Sequence, residues 1–384
     1  MENTTSNSAT RPKRLLSIDG GGLAGLIPAE SLIAIETQLN AITGREAPLC
    51  DRFDLIGGTS TGAILAAGLC LGLKAEQLRD FYLDYGKEIF TKVLLPERFW
   101  HSYPSGPLER HLKDVFGEDA ALGSGKLRTH ILIVSKNVTL GTTWFFTNNP
   151  RGRYFANNAG LPLWQIVRAS TAAPTFFPPQ PLSVPDDHGQ PQAHEFVDGG
   201  VSSYNNPSLQ VFLEATDPRY QFGWPTGADR LLLISLGTGF STVTVPEGDA
   251  GEYNLLDWAR YLIKELMGDA NLQQNVLMHL IGQSPKGKES SPVAETAAAR
   301  ASGFPAPDAL DFMSAGLGFS KALTYQRITI SLTRERLDGL NLSDIDPKKV
   351  REMDAADQIG NLQRIGKAVA NEQVRMDLLK QFFV

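Results

Sequence analysis

Phe53-Asp54-Leu55-Ile56-Gly57-Gly58-Thr59-Ser60-Thr61-Gly62, running on into Ala63-Ile64-Leu65-Ala66-Ala67-Gly68-Leu69, reads as three pieces. They are a short apolar strand, a glycine-pinched turn carrying one serine, and a helix of small apolar residues. Gly58-x-Ser60-x-Gly62 has the spacing of a nucleophile elbow, the sharp strand-to-helix turn that lifts a hydroxyl clear of a sheet. Only glycine fits where backbone crowds such a turn. The helix behind Ser60 leaves free N–H groups and a positive dipole end where negative charge would develop. A chain with 36 glycines also meets this spacing by chance. A glycine-rich turn into a buried helix therefore remains the alternative until the neighbouring stretches are read.

Upstream, Arg14-Leu15-Leu16-Ser17-Ile18 reads as a buried strand that ends in Asp19-Gly20-Gly21-Gly22-Leu23-Ala24-Gly25. The helix after it carries Leu26, Ala29, Leu32, Ile33 and Ile35 at helical spacing. A strand, a glycine loop and a helix aim backbone N–H groups at an anion. Gly20-x-Gly22-x-x-Gly25 matches the dinucleotide fingerprint to the letter, so a Rossmann oxidoreductase is the competing reading. That fingerprint wants an acid at the end of the next strand. Here Asp51 and Asp54 precede or begin that strand, and its end is Ser60. No Gly-Lys-Ser/Thr follows either glycine loop, which sets a phosphate-binding Walker loop aside.

Downstream, Lys74 to Lys92 reads as an amphipathic helix, and Leu94 to Pro104 as an aromatic segment bounded by prolines. That segment is either a loop packed on the body or a lid and lipid-docking surface, since Trp suits the headgroup level. Leu108 to Phe116 reads as a helix, Thr129 to Val138 and Thr142 to Thr147 as two tightly joined strands, and Leu163 to Ala169 as a helix. Ala169-Ser170-Thr171-Ala172-Ala173-Pro174-Thr175-Phe176-Phe177-Pro178-Pro179 cannot stay helical and could line an apolar groove. Glu195-Phe196-Val197 is a strand delivering Asp198-Gly199-Gly200, and Asn205-Asn206-Pro207 opens the next helix. Leu231 to Leu236 reads as a strand apolar at every position but Ser235. Helices are expected at Leu255 to Met267 and Leu272 to Ile281, a late strand at Tyr325 to Leu332, and one or two helices from Pro347 to Phe383.

Strands alternating with helices indicate an α/β fold with a mostly parallel sheet. The loops after Ile18, Ile56 and Val197 each follow a strand, and active sites of open α/β sheets lie at such ends. We expect a disordered tail over 1–13, a catalytic domain over 14–335, and a helical segment over 336–384 packed on it; the Arg11-Pro-Lys-Arg14 cluster at the end of the tail reads as a solvated tether. The 384 residues, 42% hydrophobic and 20% charged, suffice for a sizeable core. A formal charge of −6 argues against binding nucleic acid. Cys50 and Cys70 give no disulfide framework, and with no signal-like apolar stretch near Met1 they fit the cytoplasm. The longest apolar run, Ala63 to Leu73, is about half the ~20 residues of a spanning helix, so only peripheral membrane contact is expected.

A serine nucleophile needs a base and oxyanion donors. None of His101, His111, His130, His188, His194 and His279 sits in a glycine-rich strand-end setting. Asp198 does. Taken alone it reads as a turn cap; beside Ser60 it could take the proton directly, with the glycine loop supplying the oxyanion donors.

Asp19-Gly-Gly-Gly, Gly58-Thr-Ser60-Thr-Gly62, Ala169-Ser-Thr-Ala-Ala-Pro174 and Asp198-Gly-Gly with Asn205-Asn206-Pro207 resemble, in order and spacing, the patatin-like phospholipases. The resemblance covers about Leu15 to Gly239 and continues to the strand at Tyr325. It implies a three-layer α/β/α sandwich and a lipid acyl hydrolase without metal or cofactor. Ser60 would be its nucleophile, Asp198 its base, and Gly20, Gly21 and Gly22 its oxyanion loop. Phe99, Trp100, Phe176 and Phe177 would form the substrate groove. The family often carries Arg or Lys where this chain has Ala24. The helical C-terminal region is similar to that of bacterial patatins activated by cyclic nucleotides in anti-phage defence; no basic nucleotide pocket is legible, although the region from Trp258 to Phe319 could hold one. The expected partner is phospholipid at the inner membrane surface, with a homo-oligomer open. A constitutive esterase or lipase without nucleotide control is the alternative.

Overall fold

The computed structural model describes residues 11–91, 102–241, 249–285 and 320–384. Phe99, Trp100 and His101, and most of the stretch 258–319, lie outside the described residues.

Among the described residues nine strands form one mixed sheet: β1 (Lys13–Ile18), β2 (Leu55–Thr59), β3 (His130–Asn137), β4 (Thr142–Thr147), β5 (Gln180–Pro185), β6 (Pro191–Asp198), β7 (Leu231–Leu236), β8 (Gly282–Gln283) and β9 (Leu323–Ile328). The order is β5-β6-β3-β2-β1-β7-β9-β8, with β4 also pairing β3. The six strands from β3 to β8 run parallel, while β4 and β6 pair β3 antiparallel and β5 pairs β6 antiparallel. The expected, mostly parallel sheet is therefore present, with an antiparallel margin at one side.

The parallel strands are buried on both faces, and their alternation divides the core in two. Leu16, Ile18, Ile56, Ile131, Ile133, Leu232 and Ile234 point into the larger layer, and Leu15, Leu55, Leu132, Val134, Leu231 and Leu233 into the smaller. The larger layer is built by α1 (Leu26–Thr43), α2 (Thr61–Cys70), α3 (Ala75–Ile89), α4 (Gly106–Phe116) and, after the short α5 (Phe155–Asn158), α6 (Leu163–Ser170). The smaller is closed by α7 (Ser208–Thr216) and the C-terminal part of α8 (Leu255–Ile281). The last helices are α9 (Arg334–Gly339), α10 (Pro347–Val350), α11 (Ile359–Gln373) and α12 (Met376–Phe383).

Helix α11 lies against α1 so closely that a Cβ at Gly366 would come within 3.0 Å of the Ile27 Cα and the Leu26 carbonyl. That glycine is what lets the two helices touch. Leu362, Ile365 and Val369 of α11 join the larger core, so the C-terminal segment completes it.

Several expectations are corrected. The helix expected in two parts between Leu255 and Ile281 is continuous; the polar Gly268-Asp269-Ala270-Asn271 stretch, read as a break, holds no proline. The late strand stops at Ile328. Strand β5 and helix α9 went unread. Arg11 and Lys13, read as part of a solvated tether, clasp Asp54: Arg11 donates to both carboxylate oxygens at 2.8 and 3.1 Å, and Lys13 to one at 3.1 Å.

Candidate active site

Ser60 stands between β2 and α2 with φ 54° and ψ −123°. A side-chain-bearing residue held there is strained, at a cost on the order of 1–3 kcal/mol. The turn is forced by what surrounds it. A Cβ at Gly58 would lie 2.1 Å from the Gly62 carbonyl oxygen, and one at Gly62 would lie 2.2 Å from that of Ile18. The glycines of the elbow are therefore steric necessities. The Ser60 N–H donates to Ser170 Oγ at 2.8 Å, and Ser170 donates in turn to the Val134 carbonyl at 2.6 Å.

Asp198 reaches the same place from the other direction. Strand β2 ends at Thr59, opposite Val134 of β3. Strand β6 pairs with the part of β3 just beyond, descending antiparallel until Asp198 sits opposite Ser135. The two strands run toward each other beside β3, and their ends meet at the nucleophile. The Asp198 N–H donates to the Ala172 carbonyl at 3.0 Å, and its Oδ1 accepts from the Gly200 N–H at 2.7 Å. Its Oδ2 accepts from Ser60 Oγ at 2.5 Å.

Asp198 is 5% exposed. Burial pushes its pKa up to about 6, while the hydrogen bonds from Ser60 and Gly200 and the positive charge of Arg168 pull the other way. Arg168 is wholly buried and donates to the Pro178 carbonyl at 2.9 Å, with Glu109 at 3.7 Å. Burial lowers its pKa to about 10, so it remains a cation at neutral pH.

The glycine loop lies against Ser60: a Cβ at Gly20 would come within 3.1 Å of the serine Cβ. One expectation fails here. The Gly20 N–H, read as an oxyanion donor, already donates to the Asn205 carbonyl at 3.1 Å. Among the described residues no acceptor meets the N–H of Gly21 or Gly22, nor that of Thr61 at the start of α2. Gly22 has φ +59°, and a Cβ on it would strike the Met353 carbonyl at 2.3 Å. These three N–H groups are the available donors. Thr61 was not read from the sequence as a donor, although a residue following an elbow serine heads the helix and is the place to look.

Ser60 opens into an apolar slot of about 50 Å³ walled by Ile64, Phe81, Ile89, Phe90, Leu108 and Phe177. Gly22 and Phe176 also line it, so both expected groove aromatics within the described residues are at the site. At ~10–15 Å³ per water, the slot holds only a few waters as it stands.

Histidine takes no part among the described residues: His279 is buried against Tyr325, where burial lowers its pKa to about 4, and His111 contacts Glu88 at 2.8 Å. Besides Thr61, the residues that sequence reading missed as site components are Ser170, Arg168, Asn205 and Met353. Ser170 lies in a quoted motif but was read as groove lining. Arg168 and Met353 carry no local signal.

Comparison with known proteins gives a consistent pattern. The sequence model described as Patatin-like phospholipase matches residues 16–212. The chain is 31% identical to Patatin-T5 of Solanum tuberosum over 62% of its own length and 63% of that protein. It is 30% identical to Patatin-17 of Solanum cardiophyllum, over 67% and 68% respectively. With Patatin-like protein 2 of Arabidopsis thaliana it shares 31% identity over 59% of each. The chain thus spans about three fifths to two thirds of the length of these relatives.

Proposed function

Because this chain belongs to the patatin-like phospholipase family, we propose that it is a serine acyl hydrolase that cleaves fatty acyl esters of membrane glycerophospholipids with Ser60 and Asp198. The observation that carries this reading is the 2.5 Å hydrogen bond from a strained, elbow-borne serine to a buried carboxylate. Ser60 Oγ attacks the ester carbonyl while Asp198 takes its proton. The developing alkoxide is held by the N–H groups of Gly21, Gly22 and Thr61, and the acyl chain lies in the apolar slot. The protonated Asp198 returns its proton to the leaving alcohol. Water, deprotonated by the same carboxylate, then clears the acyl-enzyme and releases fatty acid and free Ser60. A carboxylate with a pKa near 6 suits this duty, being ionised at neutral pH yet basic enough to accept a proton in the transition state.

Contact with a membrane surface is part of the proposal. No helix among the described residues is long and apolar enough to cross a bilayer. Helix α8 instead exposes Trp258, Leu262 and Leu266 along one face, and its Met267 would lie 3.2 Å from a Cβ built on Gly200, beside the catalytic aspartate. Activation by a cyclic nucleotide in defence against phage rests on the resemblance alone, and most of 258–319, the region that could hold the nucleotide, lies outside the described residues.

The test is fatty-acid release from phosphatidylcholine and phosphatidylethanolamine vesicles, with and without cyclic nucleotides, together with labelling by a fluorophosphonate. Release by the wild type, with Ser60→Ala unlabelled and inactive, is expected. Absence of both release and labelling in the wild type would reduce the elbow to a turn.

A further inference from the structure

The loop Asp19-Gly20-Gly21-Gly22-Leu23-Ala24-Gly25 has one polar side chain, that of Asp19. Everything the loop does with its N–H groups must be steered by backbone contacts or by that carboxylate. Asp19 is 2% exposed, and its partner comes from β9, two strands away from β1 across β7. Arg327 Nη1 donates to Asp19 Oδ1 at 2.9 Å, and Nη2 donates to Oδ2, a two-point fork. Nη1 also donates to Ser235 Oγ at 2.6 Å, and Ser235 Oγ lies 2.8 Å from Ser208 Oγ. The fork is thus itself held from β7 and α7.

A buried ion pair of this kind contributes little net stability, because desolvating both charges offsets their attraction. Its placement has a different consequence. Immediately after Asp19, the Gly20 carbonyl accepts from Thr238 Oγ1 at 2.7 Å, and the Gly20 N–H is held by Asn205. Asp19 and Gly20 are fully engaged. The first unengaged donors are Gly21 and Gly22, whose directions follow from the two residues before them. Resting on the acyl-hydrolase reading of the site, we propose that Arg327 is a positioning residue that fixes the oxyanion donors through Asp19. A guanidinium is required because its planar fork sets the rotation of the carboxylate, which a lysine point charge does not.

The experiment compares wild type with Arg327→Lys and with the double variant Asp19→Asn/Arg327→Met, which leaves no unpaired charge. Each is measured for kcat and KM on a soluble p-nitrophenyl ester, for the rate of fluorophosphonate labelling of Ser60, and for melting temperature. The expected result is a kcat at least ~10-fold lower for Arg327→Lys and ~100-fold lower for the double variant, at nearly unchanged KM. Labelling should slow in parallel, because the phosphonyl oxygen occupies the same donors. Wild-type kcat and labelling in a folded Arg327→Lys variant overturns the inference, whatever the double variant does. A loss confined to KM also overturns it. A wild type inert to ester and phosphonate alike overturns the acyl-hydrolase reading instead, and the inference with it.

Discussion

Ser60 and Asp198 face each other across 2.5 Å because β2 and β6 run toward one another along the same side of β3 and stop one register position apart, at Val134 and Ser135. The separation is set by backbone pairing, so the site has little freedom to adjust to a longer side chain. Asp198→Asn should lower kcat on a soluble ester by ~10³-fold or more, since it removes the carboxylate bonded to the nucleophile. Asp198→Glu should recover little of that loss, because its extra methylene must push into Ser60. Near-wild-type turnover by the glutamate variant would show that the register is not what fixes the geometry.

The pH dependence follows from the same carboxylate. Asp198 acts as base only when ionised, and burial has raised its pKa to about 6. The kcat/KM of the free enzyme should therefore climb through an acid limb centred near 6 and level off above it. A limb centred near 4, the range of an ordinary exposed carboxylate, would mean that Asp198 is not the group titrating.

Linkage gives the opposite sign for stability. A carboxylate whose pKa is higher folded than unfolded favours the folded state below its unfolded value near 4, and that advantage is lost as pH rises through about 6. At pH 7 the ionised Asp198 thus costs stability. Asparagine keeps an oxygen to accept from Gly200 without a charge to bury. Asp198→Asn should be inactive yet more stable than wild type at pH 7, by on the order of 1–2 kcal/mol, with the gap closing toward pH 4. Urea midpoints at both pH values measure this, and a variant equally stable or weaker at pH 7 contradicts it.

What could be read in the sequence was whatever depends on local backbone chemistry. Gly58, Ser60 and Gly62 announce their turn because their steric need is met within the turn itself and by the adjoining end of β1. The alternating leucines and isoleucines of β1, β2 and β7 announce buried strands. Asp198 was legible only beside the other motifs, since a strand-end aspartate also caps turns. The engagement of the Gly20 N–H by Asn205 was invisible, because it is a contact between segments 185 positions apart and neither residue type demands it. The same holds for Met353, whose carbonyl accepts from the Leu23 N–H at 2.9 Å. The sequence divides α8 into two helices, because polar Gly268 to Asn271 looks like a loop when the packing of Asn271 and Asn275 on Asn206 is unknown.

Acyl-chain selectivity should be set by the slot. Ile89, at the end of α3, is 4% exposed and helps to wall it. Ile89→Phe adds volume to one wall without adding polarity. The ratio of kcat/KM for butyrate over laurate esters should rise ~10-fold or more, since each methylene excluded from an apolar pocket is worth roughly 1–3 kcal/mol. An unchanged ratio would place the acyl chain elsewhere.

Interfacial activity should separate from chemistry on α8. Trp258, Leu262 and Leu266 recur at intervals of four and therefore share one face of that helix, with exposures of 37%, 51% and 66%. None of them lines the slot, and Met267, the next residue along the helix, packs at Gly200. A face so placed can enter the headgroup layer while the mouth of the site stays level with the ester bonds. Each leucine that inserts contributes about 1.5–3 kcal/mol of apolar burial. Leu262→Asp/Leu266→Asp should therefore lower vesicle binding and fatty-acid release from vesicles by ~100-fold, more strongly at low vesicle concentration. The same variant should hydrolyse a soluble butyrate ester as fast as wild type, because no group that touches the reacting atoms has changed. Equal losses on both substrates would mean that the substitutions damage the fold near Gly200. Undiminished release from vesicles would mean that the lipid surface meets another part of the molecule.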